Sequence, residues 1–190
     1  MTVTSRWTSA DLEQFPDDPA LRYEIIDGEL YVSKAPNWYH QVVADRITRL
    51  LNEWSETQDI GEAATTPGII PADDDNLIPD VVWISHERFA AGFGNDGKLH
   101  ILPELIVEVL SPGLANQRRD RTDKLAVYER QGVREYWIVD RRTRTIEVYR
   151  ATGDTLAYLA TIGEQQTLDS PLLPGFTLDL ARVFKGVPPE

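Results

Sequence analysis

Cysteine is absent from this 190-residue chain, which excludes both a disulfide framework and a thiolate metal site. Its absence also fits a reducing interior. Long apolar runs are missing as well: nothing approaches the ~18 uninterrupted apolar residues of a membrane span. The first fifteen residues, MTVTSRWTSADLEQF, lack the charged-then-apolar order of a secretory signal. The expectation is a soluble cytoplasmic protein. Positive charge is scarce, with 19 Lys and Arg against 31 Asp and Glu and a formal net charge of −12. Proteins that grip nucleic acid by neutralising phosphates usually carry a basic stripe. Here the long-range field would repel DNA or RNA, so any affinity must come from a local patch. RRDR (118–121) and DRRTR (140–144) concentrate positive charge in the C-terminal half, and both read as solvated surface arginines.

What the chain does have is 42% hydrophobic residues, enough at this length for one core of ordinary size and few for two. A single domain over residues 1–190, with its core at about 8–180, is expected. Thr8 or Ser9 caps a short helix that ends at the Pro16 turn. LRYEIIDGELYVS reads as a hairpin around the turn pair Asp27-Gly28. In NWYHQVVADRITRLLNEWSE, His40, Val43, Ile47, Leu50 or Leu51 and Trp54 recur at helical spacing and form one stripe. GEAATTPGIIP and LIPDVVWIS read as strands separated by an acidic loop, ADDDN, and HERFAAGFG as a short helix before a glycine-rich loop. PELIVEVLS is a strand, ANQRRDRTDKLAVYERQG a helix with Gly132 at its C-terminal cap, and VREYWIVD an interior strand. TIEVYRAT and TLAYLATIG form a closing hairpin before an apolar tail, LLPGFTLDLARVF. The order predicts an α/β (α+β) protein with one central mixed sheet flanked by helices.

Two carboxylates stand where strands should be apolar. Asp80 enters VVWI, and Glu108 sits inside LIVEVL. Period-two alternation puts Asp80 on a face with Val82 and Ile84, and Glu108 on a face with Glu104, Ile106 and Leu110. An isolated buried carboxylate holds its proton, because desolvation disfavours the charged form. A divalent cation removes that difficulty, and two carboxylates on neighbouring strands make a hard-oxygen site suited to magnesium or manganese. The plainer reading is that Asp80 caps a turn and Glu108 pairs with an arginine. Downstream, Asp120, Lys124 and Tyr128 fall at i, i+4 and i+8 on one helix face. A lysine beside a two-carboxylate site can orient or help deprotonate a water and offset charge on a phosphate; it can equally be half of an exposed Asp-Lys pair. Glu24 lies on the alternating first strand and reads as its exposed side. His40, on the apolar stripe in the first turn of the long helix, reads as a core residue. His86 and His100 lie in or beside loops and read as surface residues.

EIIDGEL, the helix bearing His40, IPDVVWIS, PELIVEVLSP, then D-x3-K-x3-Y and GVREYWIVD together resemble the Uma-two family of restriction endonucleases, within the PD-(D/E)XK nuclease superfamily. The match runs over residues 8 to 180. The resemblance implies a restriction-endonuclease-like fold and a metal-dependent endonuclease acting on nucleic acid, DNA above all. It also implies that Asp80 and Glu108 are the two metal-binding acids, with Mg2+ or Mn2+ as cofactor. In the plain superfamily signature a lysine stands two positions after the second acid; here that position is Leu110. The resemblance points instead to a lysine moved to the following helix, where Lys124 stands. Glu24 matches an extra acid that some members contribute, and His40 a further frequent position.

Two other classes compete. A non-catalytic binding or dimerisation module could keep the fold, and the charge of −12 favours it. A metal-dependent phosphoesterase acting on a small anion would need no basic groove. Nucleases of this type often act in pairs on two strands, so a homodimer is expected, with apolar surface near Tyr149, Tyr158 and Phe176 as its interface.

Overall fold

A computed structural model describes residues 6–16 and 18–188. The outermost ends of the expected domain, 1–5 and 189–190, lie outside the described residues, as does residue 17. Thr8 caps α1 (Ser9–Leu12) through a reciprocal capping box with Asp11. The hairpin β1 (Leu21–Ile26) and β2 (Glu29–Lys34) follows. Its turn residues Asp27 and Gly28 both have positive φ, 50° and 75°, the handedness that matches strand twist in a two-residue hairpin. The long helix α2 (Trp38–Gln58) starts at Asn37, whose side chain accepts from the His40 N–H. Its buried stripe is His40, Val43, Ala44, Ile47, Leu50, Leu51 and Ser55.

Next come β3 (Gly61–Thr65), β4 (Ile69–Ala72), β5 (Asp75–Leu77), β6 (Val81–Ser85) and α3 (His86–Gly92). The stretch expected as an acidic loop is a tight turn: Ala72 pairs with Asp75, and β5 begins on the acid itself. Asp75 is fully buried and is tolerated because Arg130 lies 2.7 Å away and the Asp27 N–H donates to it. The strand β7 (Leu105–Val109) leads into α4 (Leu114–Arg118), a π-helical turn (Arg119–Lys124) and α5 (Leu125–Arg130). The expected single helix is thus interrupted by a widened turn, and Gly132 follows its end with φ 76°. The chain closes with β8 (Glu135–Asp140), β9 (Thr145–Thr152), β10 (Thr155–Gly163), β11 (Thr167–Asp169), β12 (Thr177–Asp179) and α6 (Leu180–Phe184).

Six strands form the central sheet in the order β10-β9-β8-β7-β6-β3, parallel between β7 and β8 and antiparallel elsewhere. It is a mixed sheet flanked by helices, as the element order predicted. A second sheet, β2-β1-β5-β4, lies to the side. Alternation sorts the central strands into two cores. Val81, Trp83, Val107 and Val109 pack with the α2 stripe and with α6; Val82, Ile84, Ile106, Leu110 and Tyr128 pack on the opposite face. Each fully buried aliphatic side chain here contributes about 1.5–3 kcal/mol.

Three expectations fail in this frame. Glu24 is only 3% exposed, because its carboxylate meets Lys124 and the Ile78 N–H rather than solvent. Phe176 is buried between Trp54 and Trp137, leaving Tyr158 and Leu159 as the exposed apolar pair. The reading of solvated arginines holds for Arg118 and Arg142, but Arg119 pairs with Asp120, Arg121 with Glu147 and Arg144 with Glu164, while Arg141 is buried. His86 and His100 are exposed, beside Asp59 and Asp96.

Candidate active site

The registers of β6 and β7 bring the two strand acids together. Val81 pairs with Val107, Val82 with Ile106 and Trp83 with Leu105; extending that register by one residue sets Asp80 opposite Glu108. Asp80 Oδ2 accepts from the Val109 N–H at 2.9 Å and lies 3.1 Å from His40 Nε2. Its other oxygen faces Arg22 at 3.5 Å. The N-cap on Asn37 fixes the first turn of α2, and that turn carries His40 to Asp80. Its Nδ1 is buried without a hydrogen-bond partner among the described residues, an arrangement that costs about 1–3 kcal/mol.

Glu108 Oε1 accepts from Lys124 Nζ at 2.8 Å and from the Tyr128 hydroxyl at 2.7 Å. Lys124 Nζ also lies 2.9 Å from Glu24 Oε1, and that oxygen accepts from the Ile78 N–H. Lys124 is 1% exposed, so the exposed-pair reading of this helix face fails. Asp120, from the same π-helical turn, is buried and held by Arg119 Nε at 3.1 Å. A π turn inside an otherwise α-helical run is frequent at functional sites. Here both buried charged groups of the turn, Asp120 and Lys124, come from it.

Four carboxylates (Glu24, Asp80, Glu108 and Asp120) face three cations, Arg22, Arg119 and Lys124, and His40, which evens the count only when protonated. Glu108 bears the excess: burial, against the pull of Lys124 and with repulsion from Asp80, Asp120 and Glu24, pushes its carboxyl up to about 8. Burial and Asp80 likewise raise Asp120, despite Lys124 and Arg119. Burial works to raise Asp80 too, but the hydrogen bond and charge of His40 and the Val109 N–H hold it below the ordinary carboxylate range. Burial opposes the charge on Lys124, yet Glu108, Glu24 and Asp120 keep its proton far more tightly than an ordinary lysine.

These groups form the floor of a cavity of about 380 Å³. The donor set fits a hard divalent cation: Asp80 and Glu108 supply oxygens, and a cation there would supply the missing positive charge. Among the described residues no three His, Asp or Glu side chains form a ready-made cage.

All five residues singled out in the sequence therefore meet at one place. Arg22, Arg119 and the Val109 N–H were missed. Arg22 had a signal, since it lies two residues before Glu24 and so on the same face of β1; Arg119 had none apart from the arginine run.

The family model described as "Uma2: Putative restriction endonuclease" matches residues 9–181. A crystal structure from Anabaena variabilis, described as a "putative nuclease belonging to DUF820", superposes with a TM-score of 0.73 at 18% identity, covering 93% of this chain and 97% of that one. At that identity the likeness bears on the fold, which it shares. No curated protein matches the chain. With the family model matching nearly its whole length, the chain belongs to the Uma2 family of restriction-endonuclease-like proteins.

Proposed function

We propose that this protein is a divalent-metal-dependent endonuclease that hydrolyses phosphodiester bonds of nucleic acid, with DNA as the foremost substrate. The observation that carries the reading is the pair of opposed strand acids, Asp80 and Glu108, among four buried carboxylates at the floor of an accessible cavity. Asp80 and Glu108 would hold Mg2+ or Mn2+, which when bound would acidify a water and offset charge on the scissile phosphate. Lys124 keeps its proton, so its part is electrostatic: it orients Glu108 and Glu24 and supplies positive charge to the transition state. Tyr128 fixes the same Glu108 oxygen, leaving the other directed to the ligand. His40 and the Val109 N–H hold Asp80 ionised. Glu24 anchors Lys124 and offers a further oxygen to a water or a second ion. In this reading the protein works in the cytoplasm as a homodimer, with Tyr158 and Leu159 on the edge strand β10 as the apolar surface.

The test is cleavage of plasmid and single-stranded DNA with magnesium, manganese or EDTA, beside Glu108→Gln and Lys124→Met. Metal-dependent cutting that both substitutions abolish supports the reading with Lys124 in it. Cutting lost only in Glu108→Gln keeps the metal site and removes Lys124 from the chemistry. Absence of cutting by folded wild-type protein with either metal overturns the nuclease reading. It would leave the binding module, which the net charge of −12 favours, or a phosphoesterase on a small substrate.

A further inference from the structure

Not every carboxylate oxygen on the cavity floor is free to take an ion. Glu108 Oε1 already accepts from Lys124 Nζ and from the Tyr128 hydroxyl. Glu24 Oε1 accepts from the Ile78 N–H and lies 2.9 Å from the same Nζ. A carboxylate oxygen has two lone pairs, so on each of these atoms both are taken. Asp80 Oδ2 is likewise occupied, by the Val109 N–H and His40 Nε2. The strand acids keep one oxygen each, Glu108 Oε2 and Asp80 Oδ1. Neither accepts a hydrogen bond from the described residues, and the nearest cation to Asp80 Oδ1 is Arg22 at 3.5 Å.

Lys124 thus stands where a second ion would have to stand, bridging acids from two elements, β1 and β7. Its ammonium sits 2.9 and 2.8 Å from their oxygens and is almost wholly buried, so an ion enters only by displacing it. Magnesium would draw the same oxygens in to about 2.0–2.1 Å, a small movement. Charge argues in the same direction. With every acid ionised and His40 neutral, the four carboxylates exceed Arg22, Arg119 and Lys124 by one negative charge. A first divalent ion reverses that to one positive charge. A second would leave three in a buried cluster, which costs heavily, and a bound phosphodiester offsets only one of them. We propose that the centre takes a single divalent ion, between Asp80 and Glu108, and that the Lys124 ammonium is a built-in substitute for a second. The remaining Glu24 oxygen then serves a water rather than an ion. This rests on the metal-dependent reading of the site and narrows it to a one-ion centre.

The experiment counts bound Mn2+ by the loss of its free electron paramagnetic resonance signal, without nucleic acid, at about pH 8 so that the acids release their protons to the ion. The proteins are full-length wild type, Glu108→Gln, Lys124→Met, Lys124→Arg and the double variant Glu24→Gln/Lys124→Met. Ions that Glu108→Gln still holds belong to the acidic surface and are subtracted. Wild type should hold one Mn2+ at the centre and Lys124→Met two, because losing the ammonium frees Glu24 Oε1 and Glu108 Oε1 together. Lys124→Arg keeps a cation there and should stay at one. The double variant should return the count to one. Two ions in the wild type, or one in folded Lys124→Met, overturns the inference and leaves the metal site standing. No ion in the wild type overturns the metal-dependent reading itself, and the inference with it. Circular dichroism checks the fold of each variant. If Lys124→Met does not fold, Lys124→Gln, which also lacks the charge, takes its place, and a wild-type count of two overturns the inference without any variant.

Discussion

Glu108 must be charged to bind a cation, yet its surroundings hold its proton up to about 8. The sign of the consequence follows from comparison with the unfolded chain, where the carboxyl sits near 4.5. Between those values the folded state binds the extra proton, so stability from this group is full below about pH 4.5 and is lost as pH rises to about 8. The loss is of the order of a few kcal/mol. Thermal melts should therefore show Mg2+ raising the wild-type Tm more at pH 8.5 than at pH 6.5, with no such rise in Glu108→Gln. An equal Mg2+ effect at both pH values, or one retained by the glutamine variant, would remove Glu108 from the cation site. Lys124 is the complementary case. In Lys124→Met three carboxylates lose their shared cation, and removing one partner of a buried pair costs about 3–5 kcal/mol. Urea unfolding should show that loss at pH 8 and a smaller one near pH 5, where the acids regain protons.

At the scale of elements, the site depends on how α2 begins and where the first hairpin turns. Asn37→Ala removes the acceptor for the His40 N–H and should cost about 1 kcal/mol in chemical denaturation, whereas Asn37→Asp should keep the cap. Gly28 has φ 75°, and a Cβ there would meet Arg6 Nε at 2.6 Å. Gly28→Ala should therefore destabilise by about 1 kcal/mol or more, read from the same denaturation curves. Such local features were legible in the chain. Asp-Gly between two alternating runs announced the hairpin, and the three-to-four spacing announced α2, because both obey short-range geometry. β5 was not legible: three residues opening on an aspartate carry no strand pattern, and Asp75 is tolerated because the Asp27 N–H and Arg130, 48 and 55 positions away, reach it. Nor was the π turn, since Asp120, Lys124 and Tyr128 keep to one face with or without it. Glu24 read as exposed because alternation tells which residues share a face and not what that face meets.

Over the whole molecule, an acidic protein can still hold a polyanion if the few cations that matter are grouped. With Arg22, Lys34 and Arg119 contacting phosphates, the logarithm of the single-strand affinity should fall with the logarithm of salt concentration at a slope of about −2, from ~0.7 per phosphate neutralised on a single strand. A slope near zero, measured by anisotropy between 50 and 300 mM salt, would mean that these three do not face the strand. Composition alone points away from nucleic acid, but net charge sums over a surface and does not register that Arg22, Lys34 and Arg119 line one cavity. The pairing of Asp80 with Glu108 could be suspected from two strands that each interrupt their apolar pattern with an acid, while the arrival of Lys124 between Glu108 and Glu24 needed the fold. That lysine and Glu24 stand a hundred positions apart, at 24 and 124. A chain still leaving the ribosome has its two strand acids in hand before the helix that carries Lys124 and Tyr128, 16 and 20 residues after Glu108, can dock. Until then Glu108 lacks both groups that aim it. The protein is thus born without a finished centre, which is completed only once residue 128 of the 190 has been made and its helix has docked.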